Sequence, residues 1–306
     1  MKVRQVSHAI GAEITEIDLS RPLSDAQWND IYAAWLKHIV LIFPGQKLTP
    51  EQLIEFAGRF GPLDDHREDP VSRLEGYPEI FLIGNHMVNG KLSKTRDTGR
   101  LWHSDHSYTT RPTLISMLYC RSLPPTGGTT AFSNMYMAYD TLSDTMKGML
   151  DKLEGVHELL HLGSRSTTLY RTRSFKDPAS IAERYPPVAH PLVRVHPETG
   201  KKALYVSEGP VSRIAGLTDD EGRGLLQFLF KHAATLEFTY RHTYSEDDLV
   251  FWDNRACQHI ALADYVQNSK TPRVMQRLTV LGEESGRFFD ADAARVSVPA
   301  AGAQFR

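Results

Sequence analysis

The 306-residue chain is poor in cysteine, with only Cys120 and Cys257. Two thiols do not make a disulfide scaffold, and they suit a reducing cytoplasm, which is the expected location. The N-terminus, Met1 to Gln5, lacks the apolar core of a signal peptide. No run of 18 apolar residues occurs, so no membrane partner is expected. Charge of one sign is also missing. Lys and Arg number 35 against 37 Asp and Glu, and this near-neutral balance argues against nucleic acid as a partner. There is no internal repeat, no Gly-x-Gly-x-x-Gly and no Gly-x-Ser-x-Gly. These absences count against a dinucleotide-binding sheet and a serine hydrolase. What remains is an ordinary soluble composition, 41% hydrophobic and 24% charged, with 13 histidines that invite a search for a metal site.

Helix starts are well marked. Ser24 and Gln27 form a capping-box pattern ahead of Trp28, Ile31, Ala34 and Leu36. Thr49, Pro50 and Gln52 open a second helix, with Leu53, Phe56, Ala57 and Phe60 on its apolar face. Ser143 caps a helix to about Leu153, and Thr218 with Glu221 opens one through Ala233. Strands are predicted at 38–43, 80–83, 113–120, 129–132, 236–243, 248–252 and 273–281, with a hairpin joining 192–195 to 203–206. Residues 85–101 and 164–187 read as long mobile loops, and 287–306 as a loose tail. Many short strands without regular strand–helix alternation give an α+β protein with a jelly-roll or barrel-like sheet pair.

Three segments carry chemistry. In Trp102-His103-Ser104-Asp105 an extended backbone puts residues 103 and 105 on one face, with Cα atoms about 6.5–7 Å apart, so an imidazole and a carboxylate reach one point. His106 would face the other way. His259 follows the apolar strand ending at Trp252 and offers a third donor. Two histidines and one carboxylate with open positions opposite are the arrangement of non-haem Fe(II) oxygenases. The strand Arg273 to Val280 places Arg273, Met275, Arg277 and Thr279 on one face. Two inward guanidiniums about 13 Å apart call for two anions, or for two buried carboxylate partners.

One other motif competes. His157-Glu158-Leu159-Leu160-His161 is the HExxH signature of zinc metalloproteases when it lies on a helix, although Gly155 and Gly163 flank it closely. A catalytically silent small-molecule-binding protein on the same fold is the other alternative. The intact donor trio argues against it.

The motifs together resemble the taurine dioxygenase and phenoxyacetate dioxygenase family of Fe(II)- and 2-oxoglutarate-dependent oxygenases. The likeness runs from Gly11 to about Gly282 through Phe60-Gly61-Pro62-Leu63, Leu101 to Asp105, Leu123 to Thr130, His190 to Val193, His196 to Gly200, and Trp252 to His259. The resemblance implies a double-stranded β-helix (jelly roll) with flanking helices, a single domain over 1–306. It implies His103, Asp105 and His259 as iron ligands, Thr130 and Arg273 on the distal carboxylate of 2-oxoglutarate, and Arg277 and His66 at the acid group of the substrate. It implies Fe(II), 2-oxoglutarate and O₂ as cofactor and co-substrates, a small anionic organic substrate oxidised with release of succinate and CO₂, and a homodimer or homotetramer. The stretch from Ile83 to Lys91 is closer to the phenoxyacetate branch.

Overall fold

The computed structural model describes residues 1–67, 69–164, 177–268 and 270–290, with the side chains of 162–164 left aside. Its main feature is an eight-stranded sheet. In spatial order the strands are Lys2–Gln5, Ala12–Thr15, Val40–Phe43, Leu249–Asp253, Thr113–Ser122, Val274–Leu281, Tyr77–Gly84 and Arg73–Leu74. All neighbours run antiparallel except Ala12–Thr15 beside Val40–Phe43. A three-stranded sheet pairs Thr130–Asn134 with both Thr239–His242 and Cys257–Ala261. A four-stranded sheet holds Val211–Ile214, Glu154–His157, Val188–Pro191 and Arg287–Phe288. The chain alternates between the first two sheets: Thr113–Ser122 leads to Thr130–Asn134, and Leu249–Asp253 to Cys257–Ala261.

Period-two alternation divides the large sheet's side chains between two cores. Leu249 and Phe251 join Phe43, Met117, Tyr119, Leu278 and Val280 under the two N-terminal helices. Val250 and Trp252 face the other way, with Ile42, Leu118, Met275 and Phe132. The helices Asp25–His38 and Pro50–Gly58 both start in full capping boxes, as their sequences predict. They bury Trp35, Leu53 and Phe56 against the first face. The second face, with its arginines, is left toward the three-stranded sheet.

A buried ionic cluster forms at the end of the strand Leu249–Asp253. Arg255 donates from Nε to Asp253 Oδ1 (2.9 Å), from Nη2 to Asp253 Oδ2 (2.8 Å) and from Nη1 to Glu198 (2.8 and 3.0 Å). His196 Nε2 lies 2.9 Å from the same Asp253 carboxylate. Burial alone would raise the Asp253 pKa, but Arg255 and His196 outweigh it and hold it at about 2. Arg255→Ala strands a buried carboxylate, so a loss of about 3–5 kcal/mol in urea unfolding is expected. A loss below about 1 kcal/mol would show that the cluster is not needed for stability.

Several elements differ from the sequence reading. The first helix continues through His38, and the next strand starts at Val40. Residues 236–238 form a 3-10 turn before the strand Thr239–His242. Residues 85–101 are not an open loop. They hold a small hairpin, Met87–Val88 with Lys91–Leu92, and a 3-10 turn at Lys94–Asp97. Buried Arg100 ties this segment down by donating to the carbonyls of Ala261, Leu262 and Arg96. Pro178–Arg184 is a helix within the stretch read as loop, while 165–176 lie outside the described residues. The tail begins in order, because Arg287–Phe288 pairs with Val188–Ala189; 291–306 lie outside the described residues. Among the described residues no helix is long and apolar enough to cross a membrane.

Candidate metal centre and cavity

The three donors predicted from sequence come together. His259 sits on the strand Cys257–Ala261, and His103 pairs with it edge to edge. His103 N donates to His259 O at 3.0 Å, and His259 N donates to His103 O at 2.9 Å. This exchange sets the two rings 4.2 Å apart, centre to centre. Asp105, two residues on, turns its carboxylate to the same point, with Oδ1 3.6 Å from His103 Nε2 and Oδ2 3.7 Å from His259 Nε2. One donor atom from each residue lies within 4.8 Å of the others.

These separations exceed hydrogen-bonding range, so the trio is not held by its own protons. His103 Nδ1 lies 2.8 Å from Leu101 O; that carbonyl can only accept, so Nδ1 carries the proton and Nε2 presents its lone pair to the centre. Buried lone pairs converging without a shared proton are what a divalent cation requires, and the imidazole–carboxylate set suits iron. Electrostatics agree. Burial pushes Asp105 up, but the adjacent positive charge of Arg277 favours the ionised form, and the carboxyl stays well below the usual carboxylate range. Burial, then His103, lowers His259 to about 3, leaving a neutral imidazole.

Asp105 is clamped by residues that sequence reasoning assigned no role. Ser116 Oγ, on the large sheet, donates to Asp105 Oδ2 at 2.6 Å. Asn254 Nδ2 donates to Ser116 Oγ (3.0 Å), while Asn254 Oδ1 accepts from the Asp105 backbone (3.1 Å) and from Trp252 Nε1 (3.2 Å). Asn254 lies within a motif that the sequence does display, but only the fold reveals that its side chain reaches back across the chain to residue 105.

The centre opens into a cavity of about 190 Å³. Thr130, Arg273 and Arg277 line it, as does a mostly apolar wall including Phe81, Ile83, Leu118 and Trp252. Arg273 is buried and donates from Nε to Gly128 O at 2.8 Å; its backbone N–H donates to Asn85 Oδ1 at 2.6 Å. Gly128 has φ +74°, and a Cβ there would stand 3.1 Å from Arg273 Cδ, so a side chain would crowd the guanidinium stem. Thr130 Oγ1 accepts from Tyr244 OH at 3.1 Å, and the Arg273 guanidinium lies 5.7 Å from the Tyr244 ring centre. Among the described residues no carboxylate lies within 4.0 Å of Arg273 to neutralise it. Arg277 lies over Phe81, with Nη1 3.6 Å from Asp105 Oδ1 and a buried Nε that has no hydrogen-bond partner among the described residues.

Two histidines depart from expectation. His66 is buried against Phe81, with Nδ1 3.5 Å from Asp64, and it is not among the residues lining the cavity. Burial, then Arg277, lowers it to about 3. His106, expected on the opposite face to Asp105, does line the cavity. Its φ of +51° breaks the strand alternation and turns the ring inward. A non-glycine residue there costs about 1–2 kcal/mol.

The zinc-protease alternative fails on geometry. His157 ends the strand Glu154–His157, whereas His161 belongs to the helix Leu159–Ser164, so the motif does not lie on one helix. His157 is buried between His190 and Tyr205, and Glu158 is bonded to Ser212 and Arg213. Cys257, beside His259 in sequence, is buried and its thiol is pushed well above its usual range, so it is no nucleophile.

A facial two-histidine, one-carboxylate centre facing a buried arginine defines a 2-oxoglutarate-dependent dioxygenase. More particularly, the chain belongs to the taurine catabolism dioxygenase TauD, TfdA family, whose model matches residues 2–279. It is 36% identical over 259 residues to the alpha-ketoglutarate-dependent 2,4-dichlorophenoxyacetate dioxygenase of Cupriavidus pinatubonensis, covering 81% of this chain and 87% of that one. It is 32% identical to the alpha-ketoglutarate-dependent sulfate ester dioxygenase of Pseudomonas putida, covering 92% and 90%. The crystal structure of a taurine dioxygenase from Burkholderia xenovorans superimposes with a TM-score of 0.76 at 31% identity, covering 96% of both chains.

Proposed function

We propose that this protein oxidises a C–H bond of a small organic anion, and that its two sheets form a double-stranded β-helix with the centre at one end. His103, Asp105 and His259 would hold Fe(II). The iron would couple O₂ and the decarboxylation of 2-oxoglutarate, giving succinate and CO₂, to oxidation of the substrate. The chain's own residues bind, orient and exclude water. Arg273 neutralises the distal carboxylate of 2-oxoglutarate, and Thr130, positioned by Tyr244, adds a hydrogen bond. Arg277, which lines the cavity, receives the acid group of the substrate on its guanidinium. His66 braces Phe81, on which Arg277 lies. Residues 97–100, within the segment read as a lid, line the cavity. An apolar body with one carboxylate, sulfonate or sulfate head fits this lining.

The observation that carries the reading is the convergence of three bare donors and an acid-free arginine on one cavity. Its test is anaerobic. Fe(II) followed by 2-oxoglutarate is expected to produce a weak visible charge-transfer band that saturates with 2-oxoglutarate. No band from folded, iron-loaded protein would sink the reading. Arg277→Ala is expected to weaken the substrate anion about 10- to 100-fold while changing the 2-oxoglutarate requirement little. The reverse pattern would exchange the roles of Arg277 and Arg273.

A further inference from the structure

We propose that His106 is a substrate-positioning residue, donating a hydrogen bond from Nε2 to the same anionic head that Arg277 neutralises. This rests on the reading of the cavity as the substrate site.

The turn at His106 is the first reason. A residue next to Asp105 on an extended strand would point away from the centre, yet φ +51° puts this ring in the cavity wall. The chain accepts an unfavourable backbone conformation, one that glycine would take more easily, to present an imidazole there.

The second reason is the tautomer. His106 Nδ1 lies 3.2 Å from Thr113 Oγ1. Thr113 is buried, and among the described residues His106 is the only side-chain partner of its hydroxyl. A buried hydroxyl must place its hydrogen somewhere, and Nδ1 is the acceptor at hand. Nδ1 then carries the lone pair and Nε2 carries the hydrogen. Among the described residues no protein group accepts from Nε2, so the donor is left for a ligand.

The third reason is the neighbourhood. His106 shares the cavity wall with Arg277, and His66 packs on Phe81, over which Arg277 lies. Only His106 lines the cavity, whereas His66 has its Nε2 sealed. Arg277 and His106 both line this cavity, and a guanidinium and an N–H on one cavity wall form a two-point receptor for a head with at least two acceptor oxygens, such as a carboxylate, a sulfonate or a sulfate.

The test uses the full-length protein with Fe(II) and 2-oxoglutarate under anaerobic conditions. The charge-transfer band is titrated with 2,4-dichlorophenoxyacetate, an alkanesulfonate and an alkyl sulfate. His106→Ala is expected to keep the band and its 2-oxoglutarate midpoint within about twofold, and to raise the midpoint of the anion that shifts the wild-type band by about 10-fold or more. His106→Gln, which keeps a donor near Nε2, is expected to recover most of that loss. The proposal is overturned if His106→Ala binds the anion within twofold of wild type. It is also overturned if His106→Ala loses the band itself, which would make the residue a support for the metal ligands. If none of the three anions shifts the wild-type band, the receptor is refuted although the band stands; if the wild-type band never forms, the function itself fails. A second measurement needs no substrate. In ¹⁵N-histidine-labelled protein with Zn(II) and 2-oxoglutarate, the resonance missing from His106→Gln is expected to be an Nε2–H imidazole, and an Nδ1–H tautomer would overturn the assignment.

Discussion

His103→Ala is expected to reduce turnover below detection and to weaken iron by more than about 100-fold, since even outer partners of metal ligands are worth 10- to 100-fold. The fold should survive. The two hydrogen bonds joining residues 103 and 259 are made by backbone atoms and are untouched by the substitution. The stranded groups are Asp105, still bonded to Ser116, and the neutral His259. Isothermal titration with Fe(II) or Mn(II) under argon, beside a thermal melt, separates loss of metal from loss of structure. Wild-type affinity in a folded variant would remove His103 from the metal centre.

Arg273→Ala is expected to raise the 2-oxoglutarate concentration needed for half-maximal turnover by the equivalent of about 2–5 kcal/mol, the cost of truncating one partner of a desolvated charge pair. The side chain is buried, its stem is fixed by Gly128 O, and its backbone is fixed by Asn85. Its geometry is therefore already in place when the co-substrate arrives, and little ordering cost offsets the interaction. Arg273→Lys keeps the charge but loses the fork, so partial recovery is expected. The half-maximal concentration for the substrate should move far less. A change confined to the substrate would place the distal carboxylate of 2-oxoglutarate elsewhere.

Much of the centre was legible because its signals are local. The spacing of His103 and Asp105 needs only an extended backbone, and the alternation along 273–281 correctly puts Leu278 and Val280 under the helices and Arg273 and Arg277 on the other side. Capping boxes marked three helices for the same reason. What failed was either non-local or conformational. Ser116 and Asn254 look like any polar residues until strand pairing brings them to Asp105. The 85–101 segment reads as loop because its anchor, Arg100, finds its acceptors on carbonyls far along the chain. His106 was misplaced because alternation assumes a β conformation, and a single positive φ cancels it. The short helix Met135–Asp140, capped by Asn134, carries too few turns for a periodic pattern.

The edge-to-edge pairing of His103 with His259 also bears on how the protein is made. Roughly half the chain separates these residues, and the strand that carries His259 is stitched to Thr130–Asn134. During synthesis His103 and Asp105 leave the ribosome long before His259, and for that interval they would form an incomplete chelate. On the proposed ligand set, iron would be retained only once His259 has emerged and paired with His103. A nascent chain stalled before residue 257 would carry the His103–Asp105 motif in full view and still be unable to retain the metal.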